Sequence, residues 1–169
     1  PSLRCKTCGG RLKECLGHFG YIALARPVIH VIFAPMIYDI LRCTCKSCGK
    51  LLIPDDKKKQ LLSELKDLED ETTKKARVSL IAEIVSKMKN SKKCPHCKAN
   101  QGKITIEKPT TFLEDEKRLT PIEVRTRLEK INDEDLKIFG MNPKTARPEW
   151  MVLTVFPVAP VSIRPSITL

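Results

Sequence analysis

No stretch of this sequence is both long and apolar enough to cross a membrane. The nearest candidate, residues 21–38, is 18 residues long and holds Arg26, Pro27, His30 and Pro35. A spanning helix needs roughly 20 apolar residues with few breakers. The stretch is therefore read as a buried strand followed by a helix, and a soluble protein with no membrane contact is expected. A charged-then-apolar leader is also missing, so no secretory signal is visible. Aromatic residues are scarce, at 5%, and acidic residues are outnumbered, with 20 Asp+Glu against 31 Lys+Arg and a formal charge of +11. That imbalance points to an acidic partner such as nucleic acid. A hydrophobic content of 41% beside 30% charged residues excludes a disordered tail and a collagen-like repeat. The 169 residues leave room for one ordinary domain or two small ones. No general base, nucleophile or acidic metal cluster stands out, so no catalytic residue is expected in this stretch.

What the chain does have is eight cysteines. A core of this size folds without staples, so chemistry must explain them. Cys5, Cys8, Cys15 and His18 form C-x₂-C-x₆-C-x₂-H, with Gly9, Gly10 and Gly17 free to make tight turns. A C-x₂-C pair closes a knuckle whose two sulfurs face one point, and a second pair completes the tetrahedron that zinc accepts. Cys45 and Cys48 would make half of a second site and Cys94 and Cys97 the other half, although 45 residues separate them. Two structural zinc sites then absorb seven cysteines and one histidine. Cys43 is left over. It is an alternative ligand to Cys45, but C-x₄-C to Cys48 makes a poorer knuckle, and Cys43 reads as a small buried residue or a spare thiol. Disulfides suit an oxidising compartment that nothing here suggests, and a thioredoxin-like pair would need only one C-x₂-C. A rubredoxin-like iron site competes for the second set, because Cys94-Pro95-His96-Cys97 looks like such a knuckle. The first set, with its histidine, favours zinc. His96 is expected to face solvent and His30 to be a hydrogen-bonded core residue.

Charge and cysteines lie together. Residues 1–54 carry 8 basic and 2 acidic groups and residues 91–110 carry 5 and 1, whereas residues 111–169 balance at 9 and 9. Between the halves of the second site, residues 55–90 show two amphipathic patterns: Leu61, Leu65 and Leu68, then Val78, Ile81, Val85 and Met88. They predict a helical hairpin turning at residues 69–73. Further on, residues 104–106 alternate as a short strand. Thr120-Pro121-Ile122-Glu123 predicts a capping box opening a helix to about Ile131, and Asp133 to Phe139 a shorter helix stopped by Gly140. Residues 150–156 read as a buried strand, and residues 157–165 as an extended, proline-rich segment. The expected fold class is α+β, with two zinc-binding knuckle sites, a helical hairpin inserted within the second, and short strands and helices.

The motifs resemble a specific family. Cys-Lys-Thr-Cys-Gly-Gly at 5–10, Glu-Cys-Leu-Gly-His-Phe-Gly-Tyr-Ile at 14–22 and Leu-Ala-Arg-Pro-Val-Ile-His-Val at 24–31 resemble the N-terminal clamp region of the largest subunit of multisubunit DNA-directed RNA polymerase. So do Arg-Pro-Glu-Trp-Met-Val-Leu-Thr-Val-Phe-Pro-Val at 147–158 and Ile-Arg-Pro-Ser-Ile at 163–167. The proline-rich end looks like the archaeal A′ form. Leu16, Tyr21 and Ile32 depart from the usual Pro, His and Gly, and the strand near Ile32 is expected to pack differently.

The resemblance implies a clamp fragment with a first zinc site in residues 1–20, a second in 43–98 around the hairpin 55–90, a strand and helix portion in 99–156, and a lid-like segment in 157–169. Arg164, Val158 and Val161 are its candidate nucleic-acid contacts. It implies membership of a nucleotidyltransferase whose catalytic magnesium is held elsewhere. Implied partners are the other polymerase subunits, the DNA template and RNA–DNA hybrid, initiation factor E and NusG-like elongation factors. The implied location is the cytoplasm of an archaeon, or the nucleus if the source is eukaryotic. The start on Pro1 and the end inside a lid-like segment suggest a piece of a longer subunit. A free-standing zinc-ribbon protein that binds nucleic acid is the alternative reading, and a redox protein a third.

Overall fold

The computed structural model describes residues 3–11, 13–67, 74–89, 91–107, 109–164 and 166. The chain forms two compact units, one from residues 1–27 with 153–169 and the other from residues 28–152. The fold class is α+β, as the sequence predicts.

The larger unit is organised around α1 (Ala34–Cys43), where Pro35 occupies the first turn, the one place in a helix that loses nothing by its missing N–H. Ala34, Ile37, Ile40 and Leu41 share one face of that helix and are buried. They join Ile104, Phe112, Leu119, Val124, Leu128 and Leu136 in a single core. His30 acts as a cap: its Nδ1 accepts the Ile32 N–H at 3.3 Å, and it is half-buried beside Phe33 rather than within the core. Ile32 lies in the short 3₁₀ turn Val31–Phe33 and is exposed, so the strand expected there is absent at that residue.

Three short strands, β2 (Ile104–Glu107), β3 (Thr111–Glu114) and β4 (Lys117–Leu119), pair antiparallel in chain order. Ile104 lies opposite Glu114, and Phe112 opposite Leu119, which turns three apolar side chains toward α1. Only β2 is legible in the sequence. The β3–β4 turn is made by Asp115 and Glu116, both at positive φ (48° and 67°), in positions that hairpins usually give to Asn-Gly or Asp-Gly. A charged pair carries no such signal.

Helix α4 (Pro121–Glu129) opens on the predicted capping box. Thr120 Oγ1 accepts the Glu123 N–H at 3.3 Å, and Glu123 Oε2 accepts the Thr120 N–H at 2.7 Å. That backbone donor, with the Thr120 hydroxyl, holds the Glu123 carboxyl below its usual range. Helix α5 (Asp133–Ile138) stops at Gly140, whose φ of +72° is a left-handed exit that glycine makes without strain.

Helices α2 (Asp55–Asp67) and α3 (Lys74–Met88) lie between the two halves of the second cysteine set. Leu61, Leu62 and Leu65 pack in one cluster with Leu80, Ile81, Ile84, Val85 and Met88. Val78, predicted on that apolar face, is 66% exposed; Leu80 and Ile84 take its place. The predicted turn at 69–73 and Leu68 fall outside the described residues. The base of α2 is fixed by Asp135, a fully buried carboxylate on α5. Its Oδ2 accepts the Leu51 N–H at 3.4 Å, and its Oδ1 is met by the Lys58 ammonium. Burial pulls the Lys58 pKa down, but Asp135 and Glu134 more than offset it and raise it overall.

Strands β1 (Gly20–Ile29) and β5 (Val152–Val158) form a two-stranded ribbon. Both were expected to be buried, and in both that expectation fails. Only Ile29 and Val152 are buried, while Tyr21, Ile22, Val155 and Phe156 are exposed. A continuous apolar run is the mark of a strand covered on both faces, and among the described residues nothing covers these strands along most of their length. Trp150 lies before β5, in the 3₁₀ turn Pro148–Met151. Among the described residues no helix is long and apolar enough to cross a membrane.

Candidate metal centres

Three loops repeat one backbone pattern. In the first, the Cys5 N–H bonds the Gly10 carbonyl and the Gly9 N–H bonds the Cys5 carbonyl, both at 2.9 Å. In the second, the Cys45 N–H bonds Lys50 and the Gly49 N–H bonds Cys45, again both at 2.9 Å. In the third, the Cys94 N–H bonds Ala99 at 3.0 Å and the Lys98 N–H bonds Cys94 at 3.1 Å. Each loop is closed by a bridge between the residue before the first cysteine and the residue three after the second: Arg4 with Arg11, Thr44 with Leu51, Lys93 with Asn100. The residue after the second cysteine has φ of 72°, 73° and 61° in Gly9, Gly49 and Lys98. Two glycines are expected there, because the position is left-handed. Lys98 shows that the knuckle tolerates a side chain where space allows.

The structure brings Cys5, Cys8, Cys15 and His18 together, and likewise Cys45, Cys48, Cys94 and Cys97; within each set the ligand atoms lie within 4.8 Å of one another. A tetrahedron with Zn–S bonds of about 2.3 Å has S···S edges of roughly 3.8 Å. Cys48 and Cys94 sulfurs stand 3.8 Å apart, Cys45 and Cys97 3.5 Å, and Cys15 Sγ lies 3.4 Å from His18 Nε2. Donor type, number and spacing thus fit one tetrahedral ion at each centre. Cys43 stands apart: it ends α1, is fully buried, and directs its Sγ to the Val85 carbonyl at 3.7 Å. Burial pushes its thiol up to about 12.

The knuckle geometry divides the thiols electrically. The backbone N–H groups of Cys8 and Thr7 hold Cys5 down at about 6. At Cys45 burial opposes ionisation, but the N–H groups of Cys48 and Ser47 and the nearby Cys97 thiol bring it to about 6 as well. Their neighbours go the other way. Burial and the adjoining thiols push Cys48 up to about 12 and raise Cys94. The Gly17 N–H pulls Cys15 down, yet Cys5 and Cys8 leave it raised overall. A cation bound at either centre would favour the thiolate form of the sulfurs that hold it.

One residue that the sequence does not single out, Gln101, ties the second centre together. Gln101 reaches across both halves: its Nε2 donates to Cys45 Sγ at 3.3 Å and to the Ala99 carbonyl at 2.8 Å, while its Oε1 accepts the Lys46 N–H at 3.0 Å. His96, expected in solvent, is half-buried, with Nε2 3.0 Å from the Ile53 carbonyl. Neither role follows a spacing rule, because both partners are distant in sequence.

In the smaller unit, Leu16 and Gly17 support the proline-rich segment. The Ser162 hydroxyl donates to the Leu16 carbonyl, and Gly17, at φ +95°, faces Pro160 so closely that an added Cβ would lie 2.7 Å from it. The segment is extended at its start, where Pro157 and Val158 end β5, but not from Pro160 to Arg164. There it turns, with the Ile163 N–H on the Pro160 carbonyl and the Arg164 N–H on Val161. Val161 and Arg164 are exposed, and Val158 is half-buried.

Two four-donor centres built from repeated knuckles on an α+β frame could each hold a metal ion. Residues 1–169 match the family described as RNA polymerase Rpb1, domain 1, and the chain belongs to that family. It is 49% identical over 172 residues to DNA-directed RNA polymerase subunit Rpo1N of Thermoplasma acidophilum, covering 100% of this chain and 19% of that protein. It is 50% identical over 169 residues to the Methanothermobacter thermautotrophicus subunit of the same name, again covering 100% and 19%. The Halobacterium salinarum subunit is more distant, 31% identical over 245 residues, with 100% and 25% covered. The chain thus spans about a fifth of the length of the first two, and the resemblance read from its motifs is to the right family.

Proposed function

We propose that this chain is the metal-stabilised clamp module of an archaeal RNA polymerase largest subunit, holding the DNA template and the RNA–DNA hybrid during transcription. It contributes retention to a cytoplasmic nucleotidyltransferase and takes no part in bond formation. The observation that carries the reading is the coincidence of the two four-donor centres with the basic surplus: the loops that the metals would organise are those in which Lys and Arg outnumber Asp and Glu. Phosphate contacts from such loops hold nucleic acid without reading its sequence. Cys5, Cys8, Cys15 and His18 would hold one structural zinc and Cys45, Cys48, Cys94 and Cys97 the other; seven soft sulfurs with one imidazole suit that ion. Residues 157–169 would form the lid, with Arg164, Val158 and Val161 meeting nucleic acid. The other polymerase subunits, initiation factor E and NusG-like elongation factors would be its protein partners.

The test is Cys97→Ser in the assembled polymerase. The metal content should fall by one zinc, and the lifetime of the DNA complex should shorten while addition of a single nucleotide continues. An unchanged lifetime would refute the clamp role. Visible absorbance from iron in the wild type would refute the zinc assignment.

A further inference from the structure

A pocket of about 140 Å³ lies beside the second metal centre, between α1, the Cys45–Cys48 knuckle and β2. Its walls carry five cationic side chains, Arg42, Lys46, Lys89, Lys103 and Arg127, and one carboxylate, Glu114. Internal pairing accounts for part of that charge. Arg127 meets Glu114 at 2.5 Å, Lys46 stands 3.7 Å from the same carboxylate, and Lys89 pairs with Asp39 at 2.7 Å. The pocket still holds a cationic excess. The Arg42 guanidinium is stationed over the Tyr38 ring, 5.0 Å from its centroid.

We propose that this pocket binds a phosphate oxyanion through Arg42, Lys46 and Lys103. The size suits one phosphate group: small-molecule sites run from roughly 300 Å³ upward, and 140 Å³ matches a single tetrahedral anion better than a whole nucleoside. The donors suit that anion, since Arg offers a planar fork of N–H groups and Lys a compact charge. Two of them are set by the metal centre. Lys46 lies inside the Cys45–Cys48 knuckle, and Lys103 stands two residues after Gln101, whose side chain ties the Cys94–Cys97 loop to that knuckle. A metal that fixes the knuckles would therefore also fix the lysines. The phosphate is either a nucleic-acid backbone group, which rests on the clamp reading, or a free anion, which does not.

Lysine acetylation of the assembled polymerase, read by mass spectrometry, tests this. Lys46 and Lys103 would be compared in chloride, in inorganic phosphate at equal ionic strength, and with a DNA duplex in chloride; Lys59, exposed on α2, serves as the control. Phosphate should protect Lys46 and Lys103 but not Lys59, and Arg42→Ala should abolish that protection. Because Arg42 is half-buried, Lys103→Gln on an exposed side chain gives a second reading, as lost protection at Lys46. Protection by DNA as well as phosphate assigns a backbone phosphate. The slope of log K against log salt for DNA should then fall by about 1 in Arg42→Ala. Protection by phosphate alone assigns a free-anion site. No protection by phosphate, or protection unchanged in both variants, overturns the proposal, even if DNA shields the lysines. Failure of the clamp reading shows separately, as an unchanged DNA-complex lifetime in Cys97→Ser.

Discussion

Gly9 and Gly49 hold the same place in two knuckles, yet replacing them with alanine should have unequal consequences. Their φ angles are 72° and 73°, so the conformational penalty of a Cβ is the same at both, about 1–2 kcal/mol. The surroundings differ. A Cβ on Gly9 meets nothing within 4 Å, whereas a Cβ on Gly49 would lie 2.6 Å from both the Lys130 Cβ and the Lys130 carbonyl oxygen. That oxygen belongs to the backbone just past α4 and cannot swing aside, so overpacking adds about 1–3 kcal/mol. If the centres hold zinc as proposed, knuckle folding is coupled to metal binding and strain should appear as weaker zinc affinity. At about 1.4 kcal/mol per decade, Gly9→Ala should weaken the first centre roughly tenfold, and Gly49→Ala should weaken the second by two to three decades. Competition with a chelator measures this. Mass spectrometry of alkylated cysteines tells which centre has opened: Cys5, Cys8 and Cys15, or Cys45, Cys48, Cys94 and Cys97. Equal losses in the two variants would refute the argument, because the calculated difference rests wholly on the Lys130 contact.

The remaining predictions concern the odd cysteine and the α4 cap. Cys43→Ala should keep two zinc ions per chain and cost about 1 kcal/mol for the small cavity, whereas Cys45→Ala should lose one ion; metal analysis of both variants decides which cysteine is the ligand. Thr120→Ala should destabilise by about 1 kcal/mol in denaturant titration, having lost the side-chain acceptor for the Glu123 N–H. Glu123 has a lowered folded pKa, so its stabilisation is complete above its ordinary value of 4.5 and is lost as pH falls through the lower folded value. The melting difference between the wild type and Glu123→Gln should therefore be largest near neutrality and shrink on acidification. A difference that grows in acid would reverse the assigned sign.

Legibility followed the range of the interaction. The capping box at Thr120, the stop at Gly140, the helices on either side of 69–73 and all three C-x₂-C knuckles are local patterns, set by residues a few positions apart, and each could be read from spacing alone. The burial of β1 and β5 is not legible in the sequence, because an apolar run records what a strand can be packed against and not what is there. The periodicity puts Val78 on the wrong face for a related reason: a helix with apolar residues at several phases presents the stripe its neighbours select, and here they select Leu80 and Ile84.

The sequence by itself determined the donor chemistry of this protein: how many sulfurs and imidazoles, in which pairs, and beside which surplus of positive charge. Tertiary structure decided what lies between those pairs and around them. It placed Gln101 across the two halves of the second centre, closed a turn through Asp115 and Glu116, set Lys130 against Gly49, and gathered Arg42, Lys46 and Lys103 at one pocket. The reason is physical. A knuckle is a short-range backbone geometry that its own residues dictate, whereas the meeting of groups 50 or more residues apart depends on how the core of α1, β2 and α4 packs, and no local pattern encodes that.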